Sequence, residues 1–352
     1  MNPFKTLIEI SRPKIKSWLR SFIYPEELLL HEQFSFGMRE ILVLTHKIDF
    51  DTLIRAKLVH GDVNYSDASH WPSVWMSAIK KFPILCWSER QKSELRRIGF
   101  NEEIIPIGSP YLHLLKYITN EAELALPKST NNSVLYFPSH THQGMSAKQE
   151  EINGFINQVA DFDKVTICLF WLDYINPTIF KKYEKTGSEI VCVGYKGNSR
   201  FDSPWSGDGG RESFIANLIY LIARHESVIC DTPSTAFLYA SAQGKQVMFL
   251  KFASMYNNSM KSFKSSNYTE STRPHFAALE PMTWYKSAQH NSVVSNLAWE
   301  ILGGDNIEEF KHWVGSGKST LKSGVIDPSH ATRLRSTIHE IFSSEANRNT
   351  FK

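Results

Sequence analysis

The chain of 352 residues has a hydrophobic content of 42%, a charged content of 21% and a formal net charge of +3. These values describe an ordinary globular protein with room for two domains, and so weak a charge argues against a nucleic-acid partner. The four cysteines form no C-x-x-C pair, which argues against zinc and redox motifs and favours free thiols in a reducing compartment such as the cytoplasm.

Basic and apolar residues are interleaved in the N-terminal segment 1–22, which holds five lysines and arginines and a single acid. A segment of this kind can lie on an anionic membrane surface. A solvated first helix that docks on its own protein would show the same residues, and Pro13 interrupts the pattern. No apolar run approaches the roughly 18 residues of a membrane-spanning helix, so we expect peripheral binding to the inner face of the cell membrane.

Strand and helix patterns alternate through the first part of the chain. The sequence predicts helices at 26–40, 73–82 and 89–98 and strands at 41–45, 56–59, 83–87 and 104–107. Gly99 predicts the end of the third helix, because glycine readily adopts the left-handed conformation that closes helices. Alternation at this spacing is typical of a parallel, doubly wound sheet.

A second alternating series follows a polar, turn-rich stretch at 126–133, which predicts a linker. The predicted strands are 134–138, 165–169, 189–193, 228–230 and 247–250, and the predicted helices are 150–162, 177–186, 212–224, 236–242 and 329–342. We therefore expect an α/β protein with two Rossmann-like domains, each a doubly wound parallel sheet, and a cleft between them. The expected divisions are 1–125, 126–326 and a C-terminal helix in 327–352 that packs back.

The stretch 227–242 carries the clearest chemical signal. A short apolar strand ends at Cys230, a tight turn follows, and a helix begins directly after it. Hydroxyl groups and free backbone N–H groups therefore gather at a helix N-terminus, where a phosphate or diphosphate binds well. Asp231, Ser234 and Thr235 are the candidate phosphate-binding residues of this turn.

His60 and Asp62 follow directly after a predicted strand of the first domain. Either side chain could remove a proton from a hydroxyl group: a histidine near neutral pH, a carboxylate when it is partly desolvated. The alternative is that His60 caps the end of the strand and Asp62 caps a turn.

His140 and His142 open the second domain, separated by one threonine. A metal site needs three or four converging ligands and this pair supplies at most two, so we expect no metal. An imidazole N–H that donates to a phosphate or leaving-group oxygen suits the pair better. The alternative is one histidine satisfied by the backbone and one exposed to solvent.

The segment 200–211 is rich in glycine and lies between a predicted strand and a predicted helix. Glycine lets the backbone approach a ligand closely, so Gly207 and its neighbour Asp208 are candidate donor-binding residues. A flexible surface loop is an equally good interpretation of the same composition.

The order of these features resembles the two-domain GT-B glycosyltransferases, and most closely their bacterial surface-polysaccharide branch of capsule synthesis enzymes and teichoic-acid glycerophosphotransferases. The resemblance covers roughly residues 57–250. It rests on Val59-His60-Gly61, Trp87-Ser88-Glu89, Ile107-Gly108-Ser109-Pro110, Val134-Leu135-Tyr136-Phe137-Pro138-Ser139 and Asp231-Thr232-Pro233-Ser234-Thr235.

The resemblance implies a nucleotide-activated donor held by the second domain and an acceptor on the first. It implies His60 as the base and Ser234 and Thr235 as contacts to the donor phosphate. The glycerophosphotransferases have a Lys-x-His-Pro after the second strand of the donor domain, whereas this chain has Asn176-Pro177 and no histidine there. That departure favours glycosyl transfer over phosphoryl-polyol transfer.

The expected function is therefore a metal-independent glycosyltransferase that needs no cofactor and takes a nucleotide sugar as co-substrate, a CMP-sugar among the candidates. The acceptor would be a hydroxyl group of a growing surface polysaccharide such as a capsule or the O-antigen of lipopolysaccharide, free or lipid-linked. Three alternatives stay open: a CDP-polyol phosphotransferase of the teichoic-acid type, a non-catalytic nucleotide- or glycan-binding partner, and an epimerase of nucleotide sugars.

Overall fold

A computed structural model describes the chain at 37–59, 82–97, 99–138, 149–194, 213–230, 235–249, 288–316, 320–322 and 328–343. These residues form an α/β fold with two separate parallel sheets and one short antiparallel pair of strands. The predicted α/β class with parallel sheets is confirmed. The predicted N-terminal basic segment 1–22 and the predicted helix at 73–82 lie outside the described residues, except for Phe82.

The smaller parallel sheet belongs to the first part of the chain and has the strand order β2-β3-β4. The elements of this part are α1 (Met38–Thr45), β1 (Thr52–Ile54), β2 (Lys57–Leu58), β3 (Ile84–Cys86), α2 (Glu89–Arg97), β4 (Ile104–Pro106) and α3 (Pro110–Asn120). The predicted strands at 56–59, 83–87 and 104–107 and the helix at 89–98 are confirmed. Gly99 has a φ of 100°, which agrees with its predicted place at the end of α2.

The strand predicted at 41–45 is wrong, because these residues belong to helix α1. Every residue from Met38 to Leu44 is buried, and a short apolar run looks the same in a buried helix as in a buried strand. The helix even buries an ion pair, in which Arg39 donates to Glu40 Oε1 at 3.1 Å. Arg39 also donates to the carbonyl oxygens of Thr52, at 2.9 Å, and Phe50, so its burial is well compensated.

The larger sheet has five parallel strands in the order β7-β6-β5-β8-β9. Its elements are β5 (Thr130–Phe137), α4 (Gln149–Gln158), β6 (Lys164–Cys168), α5 (Trp171–Tyr174), α6 (Pro177–Glu184), β7 (Glu189–Val191), α7 (Phe214–Ala223), β8 (His225–Cys230), α8 (Thr235–Ala242) and β9 (Gln246–Phe249). Counted along the chain, the strands lie in the order 3-2-1-4-5, which is the doubly wound arrangement. All five predicted strands are confirmed.

Strand β5 begins at Thr130, earlier than the predicted start at Val134, so the polar stretch before it is not wholly a linker. Polar side chains occupy this edge because each finds a partner. The hydroxyl of Ser133 donates to the carbonyl of Thr130, and the side-chain amide of Asn132 donates to the carbonyl of Asp161 at 2.9 Å. The register shifts between Thr130 and Val134, where the strand joins the regular sheet.

The C-terminal part contributes α9 (Ala288–Ile301), a 3₁₀ turn at Gly304–Asn306, α10 (Glu309–Gly315), β10 (Thr320–Lys322) and α11 (Ser329–Phe342). Strand β10 pairs antiparallel with β1 of the first part, and α11, predicted at the same residues, packs against α1 and α7. Among the described residues, no helix combines the length and the apolar character that crossing a membrane requires.

One buried apolar cluster takes residues from both parts of the chain, including Trp87 after β3, Tyr111 of α3, and Leu135, Val228 and Tyr239 from the second part. The strand residues of the smaller sheet lie in two other clusters. All four cysteines carry free thiols, as predicted, and Cys86, Cys168 and Cys230 are buried. The larger sheet therefore packs, through a common core, against residues that flank the smaller sheet.

Gly303, which follows α9, lies against the main chain of Trp87. A Cβ atom at Gly303 would lie 1.7 Å from the carbonyl oxygen of Trp87 and 2.6 Å from its carbonyl carbon. Its φ of 74° is also one that side chains rarely adopt. Gly244 has a similar φ of 70° but open space around it. A substitution at Gly244 would therefore introduce backbone strain without a steric clash.

We expect Gly244→Ala to lower the free energy of unfolding by about 1–2 kcal/mol through backbone strain alone. Gly303→Ala should lower it by several kcal/mol more, or prevent folding, because overpacking against a main-chain carbonyl adds to the same strain. Denaturant unfolding of both variants measures the difference. Equal losses in the two variants would contradict the close approach of Gly303 to Trp87.

Candidate functional site

Thr235 is the one predicted site residue that the structure describes, and it begins helix α8. The others lie outside the described residues: His60, Asp62, His140, His142, Gly207, Asp208, Asp231 and Ser234. The structure describes the strands that precede most of these segments and the helices that follow them. The ends of those strands and helices define the candidate site.

Strands β5 and β8 are parallel neighbours, and their last residues, Phe137 and Cys230, are register partners. Strand β5 leads toward His140 and His142, and β8 leads toward Asp231 and Ser234. The strand order reverses between these two strands, since the chain passes from β5 outward to β6 on one side and returns to β8 on the other. Doubly wound sheets bind ligands outside the carboxyl ends of the strands at this switch point. Both predicted donor-side clusters therefore start from it.

Helix α8 starts five residues after the end of β8 and is firmly anchored. Phe237 and Leu238 are buried, and the hydroxyl of Ser241 donates to the carbonyl of Phe237 at 2.8 Å. Ser295 of α9 donates in turn to the carbonyl of Ser241 at 2.7 Å. The N-terminus of α8 carries backbone N–H groups without partners inside the helix and a positive partial charge, and half-buried Thr235 lies there.

A second helix begins at the same edge of the sheet. Helix α7 links β7 to the parallel strand β8, so it runs against the strands and its N-terminus lies at their carboxyl ends. Ser213 precedes it and is fully buried, and its hydroxyl has no hydrogen-bond partner within the described part of the chain. Ser213 is not among the site residues predicted from the sequence, although its position between a glycine-rich segment and a predicted helix could have indicated it.

Two stacked tyrosines connect α8 to the first part of the chain. The rings of Tyr111 in α3 and Tyr239 in α8 lie 3.8 Å apart and nearly parallel. The hydroxyl of Tyr111 donates to the carbonyl of Tyr239 at 3.3 Å and accepts a hydrogen bond from the Gln243 amide. Burial raises the pKa of both phenols, so both are neutral near pH 7 and fix the position of α8 without carrying charge.

Trp87 lies between the end of β2 and helix α8. Its indole N–H donates to the carbonyl oxygen of Val59 at 3.0 Å, and its ring centroid lies 6.4 Å from that of Tyr239. Val59 directly precedes His60 in the sequence. One tryptophan thus contacts both the residue that precedes the predicted acceptor-side cluster and a residue of the predicted donor-side helix.

The strand ends also carry cysteines, which burial makes chemically inert. Cys86 ends β3 and Cys168 ends β6. Burial raises the pKa of Cys86 to about 12 and that of Cys168 still further, so both remain thiols at neutral pH. Among the described residues no group of three or more His, Cys, Asp and Glu side chains could hold a metal ion.

Two histidines, buried His113 and half-buried His46, lie beneath the loop that follows β4. His113 donates from Nε2 to the carbonyl of Ile107 at 2.7 Å, so its Nδ1 accepts a hydrogen bond from His46 Nε2 at 2.9 Å. Burial lowers the pKa of His46 to about 4 and that of His113 to about 3. Protonation of His113 Nδ1 would remove the acceptor that His46 uses, so the pair is neutral and structural.

No protein-family model matches this sequence, and no curated protein matches it significantly. Solved structures with a partly similar fold include the pneumococcal O-GlcNAc transferase GtfA in complex with UDP and GlcNAc, at 12% identity and a TM-score of 0.37 over 74% of this chain and 52% of that one. This chain thus spans about half the length of GtfA.

Two further structures are similar to the same degree or less. Staphylococcus aureus MnaA with UDP matches at 14% identity and a TM-score of 0.36, over 92% of this chain and 83% of that one. Phytolacca americana UGT2, complexed with UDP-2fluoro-glucose and pterostilbene, matches at 11% identity and a TM-score of 0.25, over 86% and 69%. None of the three assigns a function to this chain.

The histidine pair predicts how stability depends on pH. Because folding lowers both pKa values below the ordinary value of about 6.5, the folded state binds fewer protons than the unfolded state. Stability is therefore fully present above pH 6.5 and falls as the pH drops from 6.5 toward 4, by up to about 1.4 kcal/mol per pH unit for each histidine. Denaturant unfolding at several pH values measures this slope.

The variant His46→Gln/His113→Gln should flatten that slope, whereas His312→Gln, which changes an exposed histidine of α10, should leave it unchanged. Buried His225, whose pKa burial lowers to about 4, remains in both variants and keeps part of the slope. Equal slopes in the double variant and the wild type would show that the pair is not buried in the neutral form.

Proposed function

We propose that this protein is a glycosyltransferase that moves a sugar from a nucleotide-activated donor to a hydroxyl group of a growing surface polysaccharide. The observation that carries the proposal is the register pairing of Phe137 with Cys230 at the switch point of a doubly wound sheet. From that point the chain enters both the His140–His142 segment and the turn before α8, which are the segments with the side chains to hold a phosphate.

The donor side of the proposed site combines a helix N-terminus with hydroxyl groups. Ser234 and Thr235 would donate to the phosphate that leaves with the nucleotide, together with the free N–H groups of α8. His140 or His142 would donate through an imidazole N–H, and Asp231, Gly207 and Asp208 would contact the rest of the donor. Charge stabilisation of this kind requires no metal ion.

The acceptor side of the proposed site follows β2. His60, or Asp62 in its place, would take the proton of the acceptor hydroxyl while that oxygen attacks the anomeric carbon of the sugar. The bond between that carbon and the phosphate oxygen breaks, and the negative charge that develops on the oxygen falls at the N-terminus of α8. The hydrogen bond from Trp87 to Val59 supports the proposal, because it holds the chain before His60 beside the core that anchors α8.

The remaining parts of the proposal rest on the sequence. A basic and apolar segment at 1–22 would hold the protein on the inner face of the cell membrane, where lipid-linked polysaccharide acceptors such as those of capsule or O-antigen synthesis are assembled. A CMP-sugar is one candidate donor among the nucleotide sugars. The chain departs from the polyol-phosphate transferases at Asn176-Pro177, which favours transfer of a sugar.

We expect a nucleotide from the panel CMP, CDP, UDP, GDP and dTDP to stabilise the protein in a thermal-shift measurement, by about 2.7 kcal/mol at 100 times its Kd. Ser234→Ala and Thr235→Val should weaken this shift and lower the transfer rate by on the order of 10²–10³, because each removes a hydroxyl from the phosphate site. Ser336→Ala, which changes an exposed serine of α11, is the matched control.

His60→Ala should separate binding from chemistry. We expect the nucleotide-induced thermal shift to survive and the transfer rate to fall by on the order of 10²–10⁴, because the base acts on the acceptor rather than on the donor. If no nucleotide shifts the melting temperature of the wild type, or if a bound nucleotide sugar is never turned over, the proposed function is wrong.

A further inference from the structure

Trp87 forms hydrogen bonds with residues that follow the two outer strands of the smaller sheet, Val59 after β2 and Gly108 after β4. It follows β3, the central strand of that sheet, and is 3% exposed. We propose that Trp87 is a positioning residue for the transfer reaction: it holds Val59, the residue after β2, at a fixed distance from helix α8. This inference rests on the proposed function, because the distance between β2 and α8 affects catalysis only if the base follows β2 and the donor binds at α8.

The first contact fixes the strand end that leads to His60. The indole N–H of Trp87 donates to the carbonyl of Val59 at 3.0 Å, while the N–H of Val59 donates to the carbonyl of Leu85 at 3.0 Å. Val59 is 2% exposed, so its carbonyl would otherwise be a buried acceptor without water. Both backbone polar groups of the last described residue before His60 are therefore held by β3 and the residue after it.

The main chain of Trp87 is held as tightly as its side chain. Its N–H donates to Gln91 Oε1 at 2.6 Å, and its carbonyl accepts from the N–H of Gly108 at 2.9 Å. Gly303 then presses on that same carbonyl, where a Cβ would come within 1.7 Å. Trp87 thus cannot shift without moving the ends of β3 and β4 and the end of α9.

The ring of Trp87 completes the connection to the donor side. It lies 6.4 Å from the ring of Tyr239 at a tilt of 36°, and both belong to the same buried apolar cluster. Tyr239 lies one helical turn beyond Thr235 in α8 and is stacked on Tyr111. Val59 and α8 are consequently connected through the packed rings of Trp87 and Tyr239.

A distance fixed in this way affects the chemical step more than substrate binding. The donor would be held by α8 and the segments beside it, which do not need the indole N–H of Trp87. The base would follow Val59, and a misplacement of about 1 Å between base and reacting atoms can lower a rate on the order of 10²-fold. Loss of the indole N–H should therefore lower kcat and leave the KM for the donor nearly unchanged.

The test is Trp87→Phe, which keeps an aromatic ring against Tyr239 and removes the indole N–H. Turnover is followed as nucleotide release from the nucleotide sugar whose nucleotide gives the largest thermal shift, with a lipid-linked oligosaccharide fraction as acceptor. We expect kcat to fall by up to about 10²-fold, with the donor KM and the nucleotide-induced thermal shift within about twofold of wild type. Trp313→Phe, at a half-buried tryptophan of α10, is the matched control and should change neither.

Amide hydrogen exchange gives a readout that is independent of turnover. In Trp87→Phe, exchange should accelerate in peptides that contain Val59 and the residues after it, and should stay slow in peptides from α8. Wild-type kcat in Trp87→Phe, or a fall in kcat matched by an equal rise in the donor KM, would overturn the positioning role. Absence of turnover in the wild type would overturn the proposed function. Unchanged amide exchange in the peptides that contain Val59 would show that the indole N–H of Trp87 does not hold this part of the chain, and would overturn the positioning role alone.

Discussion

The close approach of Gly303 to the carbonyl of Trp87 is the constraint on which the joining of the two sheets depends. It brings the end of α9 against the strand ends of the smaller sheet, and α9 also holds α8 through the hydrogen bond from Ser295 to Ser241. Only a residue without a Cβ can occupy that position, because the space is taken up by the peptide group of Trp87. Trp87 therefore belongs to the same core as the larger sheet, although no strand of one parallel sheet pairs with a strand of the other among the described residues.

Three buried ring side chains in and beside this core are uncharged. Tyr111, Tyr239 and His113 are each held in the neutral form, because burial disfavours the charged form of each. The Tyr111 hydroxyl and the His113 ring nevertheless form hydrogen bonds, so the interior is polar in places. A helix N-terminus above such an interior keeps more of its positive potential than one surrounded by mobile charges and water, since electrostatic interactions strengthen as the local dielectric constant falls.

Local signals were enough to predict most strands and helices, because polar turns bound their short apolar runs. They failed at α1, where every residue of Ile41–Leu44 is buried and the run has no period that distinguishes a helix from a strand. They also placed the start of β5 too late, since Asn132 and Ser133 have long-range or local partners that no composition rule anticipates. The larger sheet could be predicted in class, but its 3-2-1-4-5 order follows only from pairings between distant strands.

The candidate site shows the same division between local and long-range information. The predicted turn before α8 can be recognised from the sequence alone, because hydroxyl residues lie between a predicted strand and a predicted helix. The role of Trp87 cannot be recognised in this way, because its partner Val59 lies 28 positions away and a tryptophan after a strand predicts only burial. Tyr111 and Tyr239 are separated by 128 positions, and nothing in either local pattern indicates stacking. Such contacts let the folded core set the separation between the end of β2 and α8. If these elements serve the acceptor and the donor as proposed, the geometry for transfer would exist before any substrate binds.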